Sequence, residues 1–182
     1  MENKNVIKNN VRDFMAQASL RVAKVASNDF MLGVSYAFEE GIIASPIEQI
    51  LFAAMLVVMK ETGQRESDPT YCPCGNIMAE GIRIEPQFKI DKYRADFMVE
   101  YHRGDVKGMG RNIKNQVIVE CDSQEFHETT EAQRRYEKKR DRDMQSLGYK
   151  VFRYTGSEIV KEPYRVASEI ISFVTACKYS RG

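Results

Sequence analysis

The amino-acid sequence predicts a mixed α/β or α+β domain built around one central sheet. A long apolar segment with a helix start signal lies before residue 63, and the hydrophobic period changes to two from residue 81 onward. A strongly charged helical segment and further apolar segments follow. The predicted order from the first apolar helix is helix, three strands, helix, strand, helix, which is the composition of a sheet covered by helices.

The N-terminal residues 4–40 are expected to be helical. Apolar residues recur there at roughly helical spacing, and no Pro or Gly occurs before Gly33. We expect a break near residues 27–29 or at Gly41. The sequence therefore predicts an N-terminal helical extension over residues 1–42 and a core over residues 43–182.

The segment "SPIEQILFAAMLVVMKETG" begins the core with a helix. Ser45 can cap it, Pro46 suits the first helical position, and Glu48 stands three residues after the cap, as in a capping box. The segment is apolar on nearly every side, which predicts a buried helix ending near Gly63. Residues 64–80 are polar with Pro and Gly, and predict a long loop or insertion.

The strands are predicted from alternating or β-branched apolar segments bounded by turn residues. The segment 117–122, "VIVECD", is continuous and β-branched, which is typical of a central strand covered on both faces. The other expected elements are strands at 82–90, 93–102 and 149–156, a basic Gly-rich loop at 103–116, and helices at 129–147 and 164–178.

Composition excludes few functions. The net charge is +1, so any nucleic-acid binding must come from local basic patches. The first residues hold no apolar signal region, and the longest apolar run, at 50–59, is too short to span a bilayer. We therefore expect a soluble cytoplasmic protein that does not bind a membrane.

The four cysteines are expected to be free thiols in such a compartment. Two of them, Cys72 and Cys74, lie in "YCPCG" without a second Cys pair nearby. A structural zinc site usually takes two such pairs, so a Pro/Gly turn is favoured. The alternative is a metal site completed by His102 or Cys177.

Two acids occupy strand positions from which acids are usually depleted. Asp96 lies in the middle of one predicted strand, and Glu120 directly follows Val117–Val119 in the next. Buried carboxylates on adjacent strands repel each other unless a positive group lies between them. Hard oxygen ligands suit Mg²⁺ or Mn²⁺. The alternative is that each acid pairs with a basic side chain, for which Arg94 and Arg153 are candidates.

The segments "SPIEQIL", "PQFKIDKYRADFMV", "VIVECDSQEFH" and "RRYEKKRDRDMQSLGYKVFRYTGSEI" together resemble the PD-(D/E)xK nuclease superfamily. Within it they are similar to the branch related to very-short-patch repair endonucleases, over residues 43–175. The resemblance implies a restriction-endonuclease-like fold. It also implies that Asp96 and Glu120 bind the catalytic Mg²⁺ or Mn²⁺ with the backbone carbonyl of Cys121, and that Glu48 reaches the metal directly or through water.

The sequence departs from the superfamily pattern after Glu120. The usual Lys, two residues after the second acid, is replaced by Asp122, and the Gly common in related domains is replaced by Ser123. His127 matches the His of the related domains and is the candidate for proton transfer, because imidazole titrates near neutral pH. Gln124 is a candidate for contact with substrate or a metal-bound water. Asp122 could support the metal site or bind a second metal.

The segment 134–142, "RRYEKKRDR", contains six basic residues and two acids. On a helix, Arg140 falls on an inward stripe and is expected to pair with a carboxylate or contact the substrate. Lys138 and Lys139 lie outside that stripe, where they either contact phosphate or form an ordinary solvated face. The expected stripe consists of Ala132, Tyr136, Arg140, Met144 and Leu147.

Two further basic residues are substrate-binding candidates. Arg111 lies in the Gly-rich loop 103–116, which either closes on a DNA backbone or simply connects two strands. Arg153 matches the strand arginine of the resembling family and is expected to face the site.

These observations predict a divalent-metal-dependent endonuclease that hydrolyses DNA. One alternative is a catalytically inactive nucleic-acid-binding module of the same fold, because the superfamily Lys is missing. Another is a protein-interaction or assembly domain, in which the N-terminal helices form a homodimer.

Overall fold

Six strands form one mixed sheet in the computed structural model, which describes residues 13–14, 16–17, 37–62, 70–71, 77–79, 81–102, 113–122 and 130–176. Helix α1 (Pro46–Thr62) precedes the sheet. The strands are β1 (Thr70–Tyr71), β2 (Ile77–Ala79), β3 (Ile82–Ile90), β4 (Tyr93–His102), β5 (Ile113–Asp122) and β6 (Val151–Thr155). The other helices are α2 (Glu131–Ser146), α3 (Gly156–Lys161) and α4 (Pro163–Thr175).

The strands lie in the order β1-β2-β3-β4-β5-β6. The four pairs from β1–β2 to β4–β5 are antiparallel, whereas the β5–β6 pair is parallel. A parallel pair needs a crossover connection, and α2 lies in it. This arrangement confirms the predicted mixed α/β class and is consistent with a restriction-endonuclease-like fold.

Two predicted loops were partly wrong. Residues 64–80 contain β1 and β2, and residues 113–116 belong to β5 and not to the preceding loop. Strands of two and three residues carry too little periodic signal to be recognised. The predicted closing helix is also preceded by a separate short helix, α3, which Thr155 caps in a capping box with Glu158. The bounds predicted for β3 and β4 are confirmed.

Helix α1 is buried on all sides, as its apolar composition predicts. Every residue from Ile50 to Met59 is buried. It packs on α4 and on the sheet, where the rings of Phe52 and Phe97 stack with centroids 6.0 Å apart. No described helix is long and apolar enough to cross a membrane.

Side chains on the two faces of the sheet form two hydrophobic clusters. The α1-side core contains α1, α4 and strand residues that include Ile82, Ile84, Phe97, Val99 and Val119. The α2-side core consists of Ile90, Tyr93, Ala95, Met98, Ile118 and Met144, with Phe88, Tyr149 and Val151 partly buried against it. Strand β5 serves both clusters with alternate residues, which confirms the expected central strand.

Strands β3 and β4 change the face that they bury. Residues two apart on a regular strand share a face. On β3, however, Ile84 packs in the α1-side core while Phe88 packs against the α2-side core. On β4, Ala95 belongs to the α2-side core and Phe97 to the α1-side core. Both strands therefore change face at neighbouring positions, and these positions lie beside the candidate site.

The turn between β2 and β3 brings backbone close to backbone. Gly81 has a φ of 81°, and a Cβ there would lie 2.7 Å from the carbonyl oxygen of His102. Gly148 also has a positive φ, 85°, but a Cβ there would meet nothing within 4 Å. The two glycines thus share a conformation and differ in the space around them.

We expect Gly81→Ala to lower the free energy of unfolding by about 2–4 kcal/mol, because the left-handed conformation and the backbone clash both act against a Cβ. Gly148→Ala is the matched control and should cost only about 1–2 kcal/mol, since it carries the conformational term alone. Urea unfolding of both variants measures the difference. Equal losses would show that the close approach to His102 has no energetic weight.

Candidate active site

Three carboxylates from three elements lie together. They are Glu48 on α1, Asp96 on β4 and Glu120 on β5. The β4–β5 register pairs Phe97 with Val119, so its continuation places Asp96 opposite Glu120. The Asp96 Oδ2 atom accepts a hydrogen bond of 2.7 Å from the Cys121 backbone N–H, which ties β4 to β5.

Burial sets the protonation of this cluster. The side chain of Glu120 is 6% exposed, and desolvation raises its pKa to about 7, although the Arg140 guanidinium opposes this rise. Desolvation also raises the pKa of Glu48 to about 7, with the charge of Asp96 adding to the effect. The pKa of Asp96 is raised for the same first reason. A cation near the three groups would favour their ionised forms.

Arg140 on α2 is the direct partner of Glu120. Its Nη2 atom donates to Glu120 Oε1 at 2.5 Å and to the backbone carbonyl oxygen of Arg94 at 2.9 Å. The alternative of an arginine partner is therefore observed for Glu120. The partner is neither of the strand arginines considered from the sequence, because α2 crosses the sheet and brings Arg140 over the ends of β4 and β5. Its role toward a substrate stays a prediction.

Arg153 on β6 lies opposite Glu120 in the β5–β6 register. Its guanidinium donates to Asp141 Oδ1 at 2.6 Å, and its distance to Asp122 Oδ1 is 3.5 Å. Asp122 is exposed. Arg153 therefore lies beside the cluster, but its shortest ion pair is with α2.

The Glu48 carboxylate is held by a residue that the sequence analysis did not consider. Gln87 Nε2 on β3 donates to Glu48 Oε2 at 2.8 Å. Among the described residues Glu48 makes no return hydrogen bond to Ser45, so the predicted capping box is not formed. The neighbouring Pro86 could have indicated that β3 is irregular at this point, because a Pro inside a strand marks an edge or a bulge.

The oxygen atoms of Glu48, Asp96 and Glu120 are chemically suited to bind a hard cation, but each of these side chains has a hydrogen-bond partner within the protein. Carboxylate oxygens are the ligands that Mg²⁺ prefers. Yet within the part of the chain that the structure describes, no group of three or more His, Cys, Asp or Glu side chains is arranged to hold a metal ion. Arg140 occupies Glu120, the Cys121 N–H occupies Asp96, and Gln87 occupies Glu48.

Several predicted residues lie outside the described part of the chain. The candidates for proton transfer and substrate contact there are His127, Gln124 and Arg111, and the thiols are Cys72, Cys74 and Cys177. The proposed N-terminal dimer helices also fall largely outside it. His102, the other suggested zinc ligand, contacts Glu100, with 2.8 Å between Nε2 and Oε1.

The inward stripe predicted for α2 was partly wrong. Met144 is buried and Arg140 is partly buried, but Tyr136 is 59% exposed and Leu147 is 55% exposed. Ala132 is exposed as well. Helical spacing gives the direction of each side chain but not how much of the helix the core covers. Lys138 and Lys139 are exposed, as expected.

Comparison with known proteins gives a family. The family model described as REase_MTES_1575, a restriction-endonuclease-like family, matches residues 74–174, which is more than half of the chain. The matched range includes Asp96, Glu120, Arg140 and Arg153. No curated protein and no solved structure matches the chain.

Removing Arg140 should make the stability of the protein more sensitive to pH. Because the pKa of Glu120 is raised from 4.5 to about 7, its neutral form stabilises the fold below pH 4.5, and this contribution is lost as the pH rises toward 7. Arg140 limits that loss by pairing with the ionised form. We expect Arg140→Gln to cost about 2–3 kcal/mol at pH 8 and clearly less at pH 5, as measured by urea unfolding without metal.

The matched control is Arg135→Gln on the same helix. Arg135 pairs with Glu131, and the two side chains are 77% and 73% exposed. Its removal should change the free energy of unfolding by less than about 0.5 kcal/mol at either pH. If Arg140→Gln were equally harmless at pH 8, Arg140 would have no role in holding the Glu120 charge.

Proposed function

Because the chain belongs to the REase_MTES_1575 family of restriction-endonuclease-like domains, we propose that it is a divalent-metal-dependent endonuclease that hydrolyses DNA phosphodiester bonds. One observation carries the proposal. Glu48, Asp96 and Glu120 converge from three elements although burial opposes their ionisation and the charge of Asp96 opposes that of the other two. Buried acids with raised pKa values cluster at functional sites, where a cation or a reacting group uses them.

The metal would be Mg²⁺ or Mn²⁺, held by Asp96, Glu120 and the backbone carbonyl of Cys121, with Glu48 acting directly or through water. When bound, it would activate a water and stabilise charge on the scissile phosphate. Asp96 and Glu120 would supply the negative charge that retains the cation. Arg140, which contacts Glu120, would then share or release it, and its guanidinium would be free to face a phosphate oxygen.

Proton transfer needs a group other than the usual superfamily Lys. Asp122 stands at that position, is exposed and lies beside Arg153. A carboxylate there cannot supply the positive charge of a Lys, although it can support the metal site. We assign proton transfer to His127, which follows Glu120 by seven residues, and contact with substrate or water to Gln124.

The proposed DNA contact lies along α2. Lys138 and Lys139 are exposed on the same helix whose Arg140 contacts Glu120, so the helix links solvent-facing cations to the acidic cluster. Exposed Lys side chains are suited to phosphates and carry no sequence preference. Arg111 would add a further phosphate contact, and Arg153 would act at the cluster itself. We also propose that the domain belongs to the branch of the superfamily related to very-short-patch repair endonucleases.

A catalytically inactive nucleic-acid-binding module is the second candidate. The absence of the Lys after Glu120 favours it, and so does the engagement of Glu120 by Arg140. Such a module would bind DNA without needing the cluster. It would retain its DNA affinity after loss of Asp96 and Glu120, and it would cleave nothing.

We expect wild-type protein to cut plasmid or linear DNA with Mn²⁺ or Mg²⁺, and to be inactive in EDTA. Asp96→Ala and Glu120→Ala should each lower the cleavage rate at least about 100-fold, because each removes a carboxylate that holds the metal. His127→Ala should lower it at least about 10-fold. Gel assays on plasmid, linear and single-stranded DNA measure these rates, and a binding assay run in parallel measures DNA affinity.

The matched acid-to-Ala control is Glu131→Ala, an exposed carboxylate at the start of α2. It should cleave at the wild-type rate. Activity that survives both Asp96→Ala and Glu120→Ala would contradict the assignment of the site. DNA binding by the wild type with no cleavage under any metal condition would favour the inactive module instead.

A further inference from the structure

Gln87 has an unusual backbone conformation for its place in the fold. Its φ is 53°, in the left-handed region, although it lies within β3. Among the described non-glycine residues, only Gln87 and Asp91 have a positive φ. Asp91 lies in the two-residue turn between β3 and β4, where this conformation is ordinary. Inside a strand it is costly, so the surrounding structure must hold Gln87 in place.

The ladder between β3 and β4 is interrupted at Gln87. The register pairs Pro86 with Phe97 and Phe88 with Ala95, which leaves Gln87 facing Asp96 without a ladder pair. Pro86 has no N–H to donate. The change of buried face on both strands occurs at these two residues. The left-handed residue accounts for the switch on β3, because a single residue of this conformation breaks the alternation of side chains along its strand.

The Gln87 side chain reaches the acidic cluster. Its Nε2 donates to Glu48 Oε2 at 2.8 Å, across 39 positions of sequence. The amide is neutral, so it can hold the carboxylate without a positive charge that would compete with a cation. Arg140 holds Glu120 by the opposite means, with a charged guanidinium. Glu48 therefore has a partner that can stay in place when a cation binds.

We propose that Gln87 is a positioning residue, whose left-handed backbone aims its amide at Glu48 and fixes that carboxylate beside Asp96 and Glu120. This inference rests on the proposed function, in which Glu48 supports the metal. Gln87 itself touches neither metal nor DNA in this assignment. Its effect on metal binding and turnover passes through Glu48.

The test uses Gln87→Gly, because glycine keeps the positive φ without strain while the side chain that carries the amide is removed. Gln87→Asn is the second variant, since Asn tolerates this φ but is too short to keep the hydrogen bond. Asp91→Gly is the matched control, as it relieves the other positive φ outside the site. Glu48→Gln and the Gln87→Gly/Glu48→Gln double variant complete a double-mutant cycle.

Calorimetric titration with MnCl₂ in the absence of DNA gives the first readout, and kcat and KM for plasmid cleavage give the second. We expect Gln87→Gly and Gln87→Asn to weaken Mn²⁺ binding about 5–10-fold and to lower kcat by a similar factor. The KM for DNA should change less than about twofold, because Gln87 does not contact substrate. The double variant should be no weaker than Glu48→Gln alone, and Asp91→Gly should match the wild type.

Several results would overturn the inference. One is wild-type Mn²⁺ affinity in folded Gln87→Gly and Gln87→Asn. Another is a double variant in which the two losses simply add. If the wild type binds Mn²⁺ but cuts no DNA, the proposed function fails, while the calorimetric cycle still decides the role of Gln87. If the wild type binds no Mn²⁺, both the metal site and the positioning role are wrong.

Discussion

The approach of three carboxylates, one buried and two partly buried, is the constraint on which the rest of this structure depends. Glu48, Asp96 and Glu120 are each harder to ionise than in water, chiefly because they are desolvated, and the charge of Asp96 adds to the cost for both Glu48 and Glu120. The fold offsets this in three different ways: a guanidinium for Glu120, a backbone N–H for Asp96 and a neutral amide for Glu48. A cation beside the cluster would lower the cost of ionising its carboxylates, and this is the physical basis of the metal site that we propose.

The strand connections create that approach. The β3–β4 hairpin changes face at Gln87 and Asp96, and β5 brings Glu120 opposite Asp96. The parallel β5–β6 pair requires a crossover, and the crossover helix α2 brings Arg140 onto the same cluster. Helix α1 begins close to Gly156, where a Cβ would lie 2.7 Å from the side chain of Ile47, the residue before Glu48. The topology of the sheet therefore determines which side chains meet in the acidic cluster.

Much of this could be predicted from sequence, because period-two patterns and turn residues are local signals. They gave the bounds of β3 and β4, and they placed Asp96 and Glu120 on adjacent strands. The sequence predicted that Arg140 faces inward and pairs with a carboxylate. It could not identify Glu120 as that carboxylate, because the partner depends on where α2 crosses the sheet. The change of buried face on β3 at Gln87 was not predicted, because the hydrophobic pattern of a strand does not determine the φ angle of a single residue. Tyr136 and Leu147 were misplaced because periodicity does not report where the core ends.

The most direct test of this account is the ionisation of the carboxylates themselves. Carboxyl ¹³C NMR of the metal-free protein, with Glu48→Gln and Glu120→Gln used for assignment, gives the titration midpoint of each group. We expect pKa values of about 7 for Glu48 and Glu120, displaced from the ordinary value of 4.5. Midpoints of 4.5 for both would mean that the carboxylates are neither desolvated nor close together, and would contradict the site on which the proposed function depends.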